Sequence, residues 1–471
     1  MGLKGALLIL VVATAGSVFY LQSSNKQPYE WPRNGYFGPG HPKQDDTTIR
    51  PFKINVSEEE IKELKRRLQT ARIGHEQLEN VSDFTFGFNK KTLLQFRDYW
   101  LNKYDWRKAE AQLNAFPQFT TQIEGVKVHF LHVKPPANKY KTVIPLLLAH
   151  GWPGNVYEFY KIIPLLTDPN NKLKPTIPST VAFEVIAPSI PGYGWSEAGH
   201  KSGLNQIATA RIFKKLVVER LGHDKFIAQG GDWGSAIVGN IGRMYPEHVY
   251  GIHMNSVFFM GNVKGNLLLL AGTIVPKLVY ANREFDNFSF KTLFLEIIKE
   301  SGYMHIQATK PDTIGVGLND SPLGLMAYII EKFSTWTNAG YRNLPDGGLL
   351  NRFTQDELLT IVSIYWFNQN ILQSQRYYRE FFADQGVQDF SGSYLKAPTG
   401  YASPPHDLGE RIPPEVAKTM ANVTHFTLLQ EGGHFTAFEV PVPLANDIFN
   451  FAAKVAPVGV PPSKAKKGSE L

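Results

Sequence analysis

The sequence predicts an α/β protein built on a doubly wound, mostly parallel sheet, and three observations carry that expectation. Residues 143–148 (VIPLLL) form a continuous apolar run, the mark of a strand buried on both faces of a parallel sheet. From there strand-like and helix-like stretches alternate. Residues 181–187 and 226–229 read as strands, and 204–221 and 235–244 as helices, which is the rhythm of βαβ units. The third observation is the stretch QGGDWGS at 229–235, a tight glycine-rich turn between a short apolar run and a helix.

Each element follows from local signals. In residues 5–22, GALLILVVATAGSVFYLQ carries no charge and is just long enough to span a bilayer. Lys26, Arg33 and Lys43 follow it against Lys4 alone before it, which places the body on the cytosolic side of an uncleaved anchor, residues 1–22. Ala13-Thr14-Ala15 offers the rival reading of a cleaved signal peptide. Residues 23–120 form an extension: a Pro- and Gly-rich linker, then a helix opening at Ser57, whose side chain and Glu60 have capping-box spacing, and another helix near 91–103. The core begins over residues 121–257, with an alternating strand at 126–133. Residues 258–385 change to long helical and aromatic stretches, an inserted helical cap. The core resumes over 386–458 with a strand at 424–429 and a closing helix near 443–455, and 459–471 is a small, charged, disordered tail.

Composition narrows the function. The chain of 471 residues has no cysteine, which excludes disulfides, thiol catalysis and cysteine-based zinc sites. Its net charge of +7 is spread along the chain, with no dense basic run beside aromatics, so nucleic acid is not an expected partner. The sequence does not reveal an oligomeric state.

In Gly230-Gly231-Asp232-Trp233-Gly234 a serine at the centre would make the nucleophile elbow of an α/β-hydrolase. Here the centre is Asp232. An aspartate before a helix is also an ordinary N-cap, so its partners decide. α/β-Hydrolases order their triads nucleophile, acid, base along the chain. His434, in EGGHFTAFE after the last strand, fits the base, and Asp407 in SPPHDLGE fits the acid, with Glu410 as fallback. His150-Gly151-Trp152-Pro153-Gly154 follows the buried strand, so the backbone N–H groups of Trp152 and Trp233 can form an oxyanion hole.

A carboxylate attacking an ester would produce only an anhydride. Against saturated carbon bearing a leaving group it forms an alkyl ester, which His434 can clear by activating water. The leaving group is then an epoxide oxygen or a halide. An epoxide oxygen needs a proton donor, and Tyr303 and Tyr378 in the cap are candidates, because phenols are neutral at pH 7. No cofactor or metal is needed. The alternatives are a dehalogenase with the same nucleophile and a catalytically inactive scaffold that binds lipophilic ligands.

The stretches DTTIRPF, HGWPG, APSIPGYGWS, GGDWGS, SGYMHIQATKPDT, EKFSTWTN, QRYYRE and GGHFTAFE resemble the microsomal epoxide hydrolase family over essentially the whole chain, with the insect juvenile hormone epoxide hydrolases most similar. The resemblance implies an α/β-hydrolase fold with Asp232 as nucleophile, His434 as base and Tyr303 and Tyr378 as ring-opening acids. It aligns the triad acid on Asp407, where many members carry glutamate. It also implies lipophilic epoxide and water as reactants, juvenile hormone or xenobiotic epoxides as substrates, and an endoplasmic reticulum anchor with a cytosolic body.

Overall fold

The computed structural model describes residues 29–458 except 75, 170–172, 174–178, 257–261 and 409–410. The expected anchor at 1–22, the tail at 459–471 and the fallback acid Glu410 therefore lie outside the described residues. Among the described residues, no helix is long and apolar enough to cross a membrane.

Nine strands form one sheet: β1 (Arg50–Pro51), β2 (Gln118–Ile123), β3 (Val126–Val133), β4 (Thr142–Ala149), β5 (Val181–Pro188), β6 (Phe226–Gly230), β7 (Val249–Met254), β8 (Leu395–Ser403) and β9 (Ala421–Leu428). Their order is β1-β2-β3-β5-β4-β6-β7-β8-β9. The first three pairings, β1 with β2, β2 with β3 and β3 with β5, are antiparallel, and everything from β5 to β9 is parallel. β4 is flanked by β5 and β6, so the chain reverses its direction of travel across the sheet there. Ligands of open α/β sheets bind at the carboxyl ends beside such a reversal. Ala149 at the end of β4 pairs with Gly230 at the end of β6, which brings the HGWPG and GGDWG turns together.

Helices cover both faces, and two neighbouring residues of β7 show how. Ile252 meets Gly242 of the helix Trp233–Met244, whereas Gly251 lies under Phe451 of the helix Pro441–Val455. Successive strand residues point to opposite faces, so the two helices sandwich the sheet.

Between β7 and β8 the chain is helical, from Val263–Ile274 to Gln385–Ser391. Its buried side chains, including Tyr303, Leu325, Ile329, Trp336, Tyr365 and Tyr378, belong to the same apolar core as the strands. The N-terminal segment is held by a buried ion pair. Glu124, in the turn between β2 and β3, accepts from Arg211 Nε and Nη2 at 2.6 Å each and pairs with Lys215 at 2.9 Å, while Arg211 Nη1 donates to the Pro32 carbonyl. The predicted capping box at Ser57 and Glu60 is formed, opening the helix Glu58–Gln69.

Candidate active site

The elbow is shaped by what small residues permit. A Cβ on Gly234 would lie 1.9 Å from the Ala149 carbonyl oxygen, and one on Gly151 would lie 2.3 Å from Asp232 Oδ1. Backbones of the two turns therefore approach as closely as glycine allows. Asp232 sits at φ 50° and ψ −129°, a strained conformation for an L-residue and one that clusters at functional sites. It occupies the N-cap position of Trp233–Met244 but its side chain makes no capping hydrogen bond. The ordinary N-cap reading thus fails, and the carboxylate is turned elsewhere.

It is turned onto the neighbouring turn. Asp232 Oδ1 accepts the Trp152 backbone N–H at 2.8 Å, and the carboxylate also takes the Trp233 backbone N–H. Oδ2 lies 3.6 Å from His434 Nε2, and the side chain is 16% exposed. On its other side, His434 Nδ1 lies 2.6 Å from Asp407 Oδ1. Asp407 is itself oriented by the Leu408 N–H at 2.7 Å and the Ser256 hydroxyl at 2.8 Å. His434 is fixed further by its own N–H, which donates to the Trp336 carbonyl at 3.0 Å, and by the Trp336 ring set edge-on at 4.7 Å.

The two cap tyrosines reach the same place from helices Gly302–Thr309 and Ile371–Phe382. Tyr303 stacks on the Trp152 indole at 5.1 Å with planes 5° apart, and Tyr378 stands edge-on to Trp233 at 4.7 Å and to Tyr303 at 5.8 Å. The buried Tyr378 hydroxyl makes no well-directed hydrogen bond among the described residues and has the Tyr303 phenol as its neighbour.

Electrostatics follow from this packing. Burial raises Asp232 above the usual carboxylate value, opposed by the charge of His434 and the two backbone N–H groups. Burial alone would also raise Asp407, but the charge and hydrogen bond of His434 outweigh it and hold that carboxyl low. For His434, burial disfavours the cation, yet Asp407, Asp232 and Glu158 raise it to about 9. Burial pushes Tyr303 and Tyr378 well above the usual phenol value, so both are neutral donors at any working pH.

All seven residues singled out from the sequence as nucleophile, base, acid, phenols and backbone donors are thus gathered at one point. Sequence reasoning missed Ser256, Trp336 and Glu158, the last being a lone acid in the apolar turn VYEFY four residues after Gly154. Elsewhere, His132, Glu184 and His223 come within 4.8 Å of one another, the one such metal-competent group among the described residues. Lys134 at 3.7 Å from Glu184 opposes a cation there.

Residues 49–159 match the model described as epoxide hydrolase N terminus, and residues 144–299 match alpha/beta hydrolase fold. Epoxide hydrolase 1 of Sus scrofa is 45% identical over 450 residues, 94% of this chain and 98% of its own. The chain belongs to the epoxide hydrolase family. Juvenile hormone epoxide hydrolase 2 of Ctenocephalides felis is 39% identical, with 95% of each chain covered. The crystal structure of juvenile hormone epoxide hydrolase from Bombyx mori superposes with a TM-score of 0.85 at 38% identity, covering 90% of this chain and 99% of that one. This enzyme is accordingly an epoxide hydrolase of the microsomal and juvenile hormone type, on an α/β-hydrolase fold.

Proposed function

We propose that the enzyme opens lipophilic epoxides to vicinal diols through a covalent ester on Asp232. In this reading Asp232 Oδ2 attacks an epoxide carbon, and the C–O bond to the ring oxygen breaks. Tyr303 and Tyr378 hydrogen-bond that oxygen, and a phenol proton neutralises the alkoxide. His434 Nε2 then removes a proton from water, whose oxygen bonds to Cγ of Asp232. The resulting oxyanion at Oδ1 is held by the Trp152 and Trp233 N–H groups. Collapse breaks the bond from Cγ to the alkyl oxygen, which takes the imidazolium proton from His434; the remaining water proton leaves the restored carboxyl and returns to the phenolate, and the diol is released.

The observation that carries this reading is the division of labour around one carboxylate. Oδ1 is engaged at 2.8 Å by a backbone N–H, while Oδ2 faces an imidazole at 3.6 Å whose far nitrogen is held by Asp407. An oxyanion donor already seated on the carboxylate suits attack on its own carbon. Asp407 contributes most to raising His434, and Asp232 adds to it, so ester formation, which removes the Asp232 charge, lowers that value and makes the imidazole readier to act as a base.

The test is single-turnover hydrolysis of styrene oxide in heavy-oxygen water. The first diol should carry an oxygen from Asp232 and little solvent label. Diol labelled fully in the first turnover refutes the covalent route.

The substrates proposed are long apolar epoxides, juvenile hormone first and xenobiotic oxides second. The aromatic walls of Trp152, Tyr303, Tyr328 and Trp336 support an apolar reactant, and relatives from two insects are named for juvenile hormone. A panel comparing juvenile hormone with styrene-type oxides by kcat/KM ranks them. The same reading gives the enzyme an endoplasmic reticulum address, with residues 1–22 as anchor and the body cytosolic. Deleting those residues should move active enzyme from the membrane to the soluble fraction, and an unchanged distribution refutes the anchor.

A further inference from the structure

We propose that Glu158 is a water-positioning residue: its carboxyl Oε1 and His434 Nε2 together hold the water that attacks the Asp232 ester. This rests on the covalent reading above and names a participant in its second step.

Glu158 lies in the short 3-10 turn Val156–Phe159, whose start is capped by the Asn155 side chain on the Tyr157 N–H. The residue is only 8% exposed, and Oε1 is fully buried with no hydrogen-bond partner among the described residues. A buried polar oxygen left unpaired is costly, and such exceptions call for an explanation. The local sequence has been shaped to admit it, since a Cβ on Gly154 would come within 1.3 Å of Oε1. Any other residue at 154 would evict the carboxyl.

Glu158 lines a cavity of about 20 Å³ whose walls include Asp232, His434, Asn255, Phe159 and Phe435. A single water needs roughly 10–15 Å³ by this measure and two to four polar partners. Glu158, His434 and Asp232 supply them. Every wall residue belongs to the hydrolase core, and neither Tyr303 nor Tyr378 contributes. The cavity thus touches Asp232 without being walled by the phenols. In this proposal the alkyl group lies against the phenols and the water keeps the cavity, so the two do not compete for room.

His434 supports the same arrangement. Its Nε2 stands 3.6 Å from Asp232, too far for a hydrogen bond, and so can meet a water instead and take its proton once the ester has removed the Asp232 charge. Burial, aided by the Asp232 charge and opposed by His434, pushes the Glu158 carboxyl up to about 8. Near neutral pH it is thus an uncharged acid with a carbonyl oxygen to accept from water. In the step, one water proton passes to Nε2, the other stays hydrogen-bonded to Oε1, and the oxygen lone pair bonds to Cγ of Asp232.

The experiment follows the two half-reactions separately with styrene oxide, using stopped-flow tryptophan fluorescence and intact-protein mass spectrometry. In Glu158→Leu, ester formation should stay within about threefold of the parent, while ester hydrolysis slows at least tenfold and the alkylated enzyme accumulates. Glu158→Gln, which keeps an acceptor oxygen, should hydrolyse the ester within about threefold of the parent. Gly154→Ala, which displaces the carboxyl without removing it, should repeat the hydrolysis defect. Parallel slowing of both steps in the leucine variant, or leucine and glutamine equally slow, overturns the proposal. If the leucine variant does not fold, the other two decide: normal hydrolysis in Gly154→Ala overturns it. His434→Gln is the control, because failure to trap any ester there indicts the covalent reading itself and not Glu158.

Discussion

Replacing Asp407 by asparagine tests whether the triad acid acts through the histidine in the second half-reaction alone. The amide has almost the shape of the carboxylate, so the Ser256 and Leu408 contacts survive in part, and the change removes one negative charge 2.6 Å from His434 Nδ1. A hydrogen bond to a charged group contributes about 1.5–3 kcal/mol. At about 1.4 kcal/mol per factor of ten, ester hydrolysis should slow by roughly 10- to 150-fold. Alkylation requires no base and should change by less than about threefold. Trp152 and Trp233 border the nucleophile and report both phases by fluorescence, while mass spectrometry should show the accumulated ester. The pH profile moves as well. Asp407 leads the groups raising His434 to about 9, so its loss lowers that value and the alkaline rise of hydrolysis should shift to lower pH. Equal slowing of both phases, or an unshifted profile at an unchanged rate, would refute the assignment.

Further expectations concern the phenols, a buried acid and the N-terminal clamp. Tyr303→Phe and Tyr378→Phe should each slow alkylation about tenfold, and the double variant by about 10²- to 10⁴-fold; a fully active double variant removes them from the mechanism. Glu158 has a folded-state value raised from 4.5 to about 8, so between those limits the unfolded chain ionises while the folded one does not, and this group's contribution to stability falls as pH rises. Glu158→Gln should therefore gain in melting temperature over the parent progressively from pH 4.5 to 8 and no further, and a pH-independent difference contradicts the shift. Glu124→Gln strands the buried Arg211 guanidinium and should cost about 3–5 kcal/mol in denaturant unfolding; an unchanged midpoint would refute the role of this ion pair in holding the N-terminal segment.

Much of the fold was legible wherever a strand was apolar throughout or a helix carried its own cap. β4 and β5 sit between other strands under helices on both faces, and their largely apolar runs, broken in β5 only by Glu184, say so. Ser57 and Glu60 announce their helix by side-chain chemistry alone. β8 was not legible: Pro398 interrupts it and Gly400 leaves room for Phe451, with two register shifts against β9, so no alternation survives in LKAPTGYAS. β2 mixes Gln and Thr into its run because it pairs antiparallel near the sheet edge. The helix expected over 204–221 ends its regular turns at Lys214 and continues as a π-turn over Lys215–Arg220, a change of hydrogen-bond register invisible to apolar spacing. At the site, Asp232, His434 and HGWPG were readable because chain order and turn geometry constrain them. Glu158 was not, since one acid in an apolar turn looks like a solvated side chain until Gly154 is seen to open a space for it.

The cap donates its phenols from helices that the sheet never touches covalently at that point, whereas the carboxylate, imidazole and backbone donors all sprout from strand ends. Ring opening and deacylation are consequently lodged in separate stretches of polypeptide. Transplanting residues 263–391 from a relative with other tastes, with Trp336 kept because it braces His434, should re-aim which oxirane is accepted while the hydrolytic clock keeps its own time, making selectivity and turnover independently adjustable by evolution or by hand.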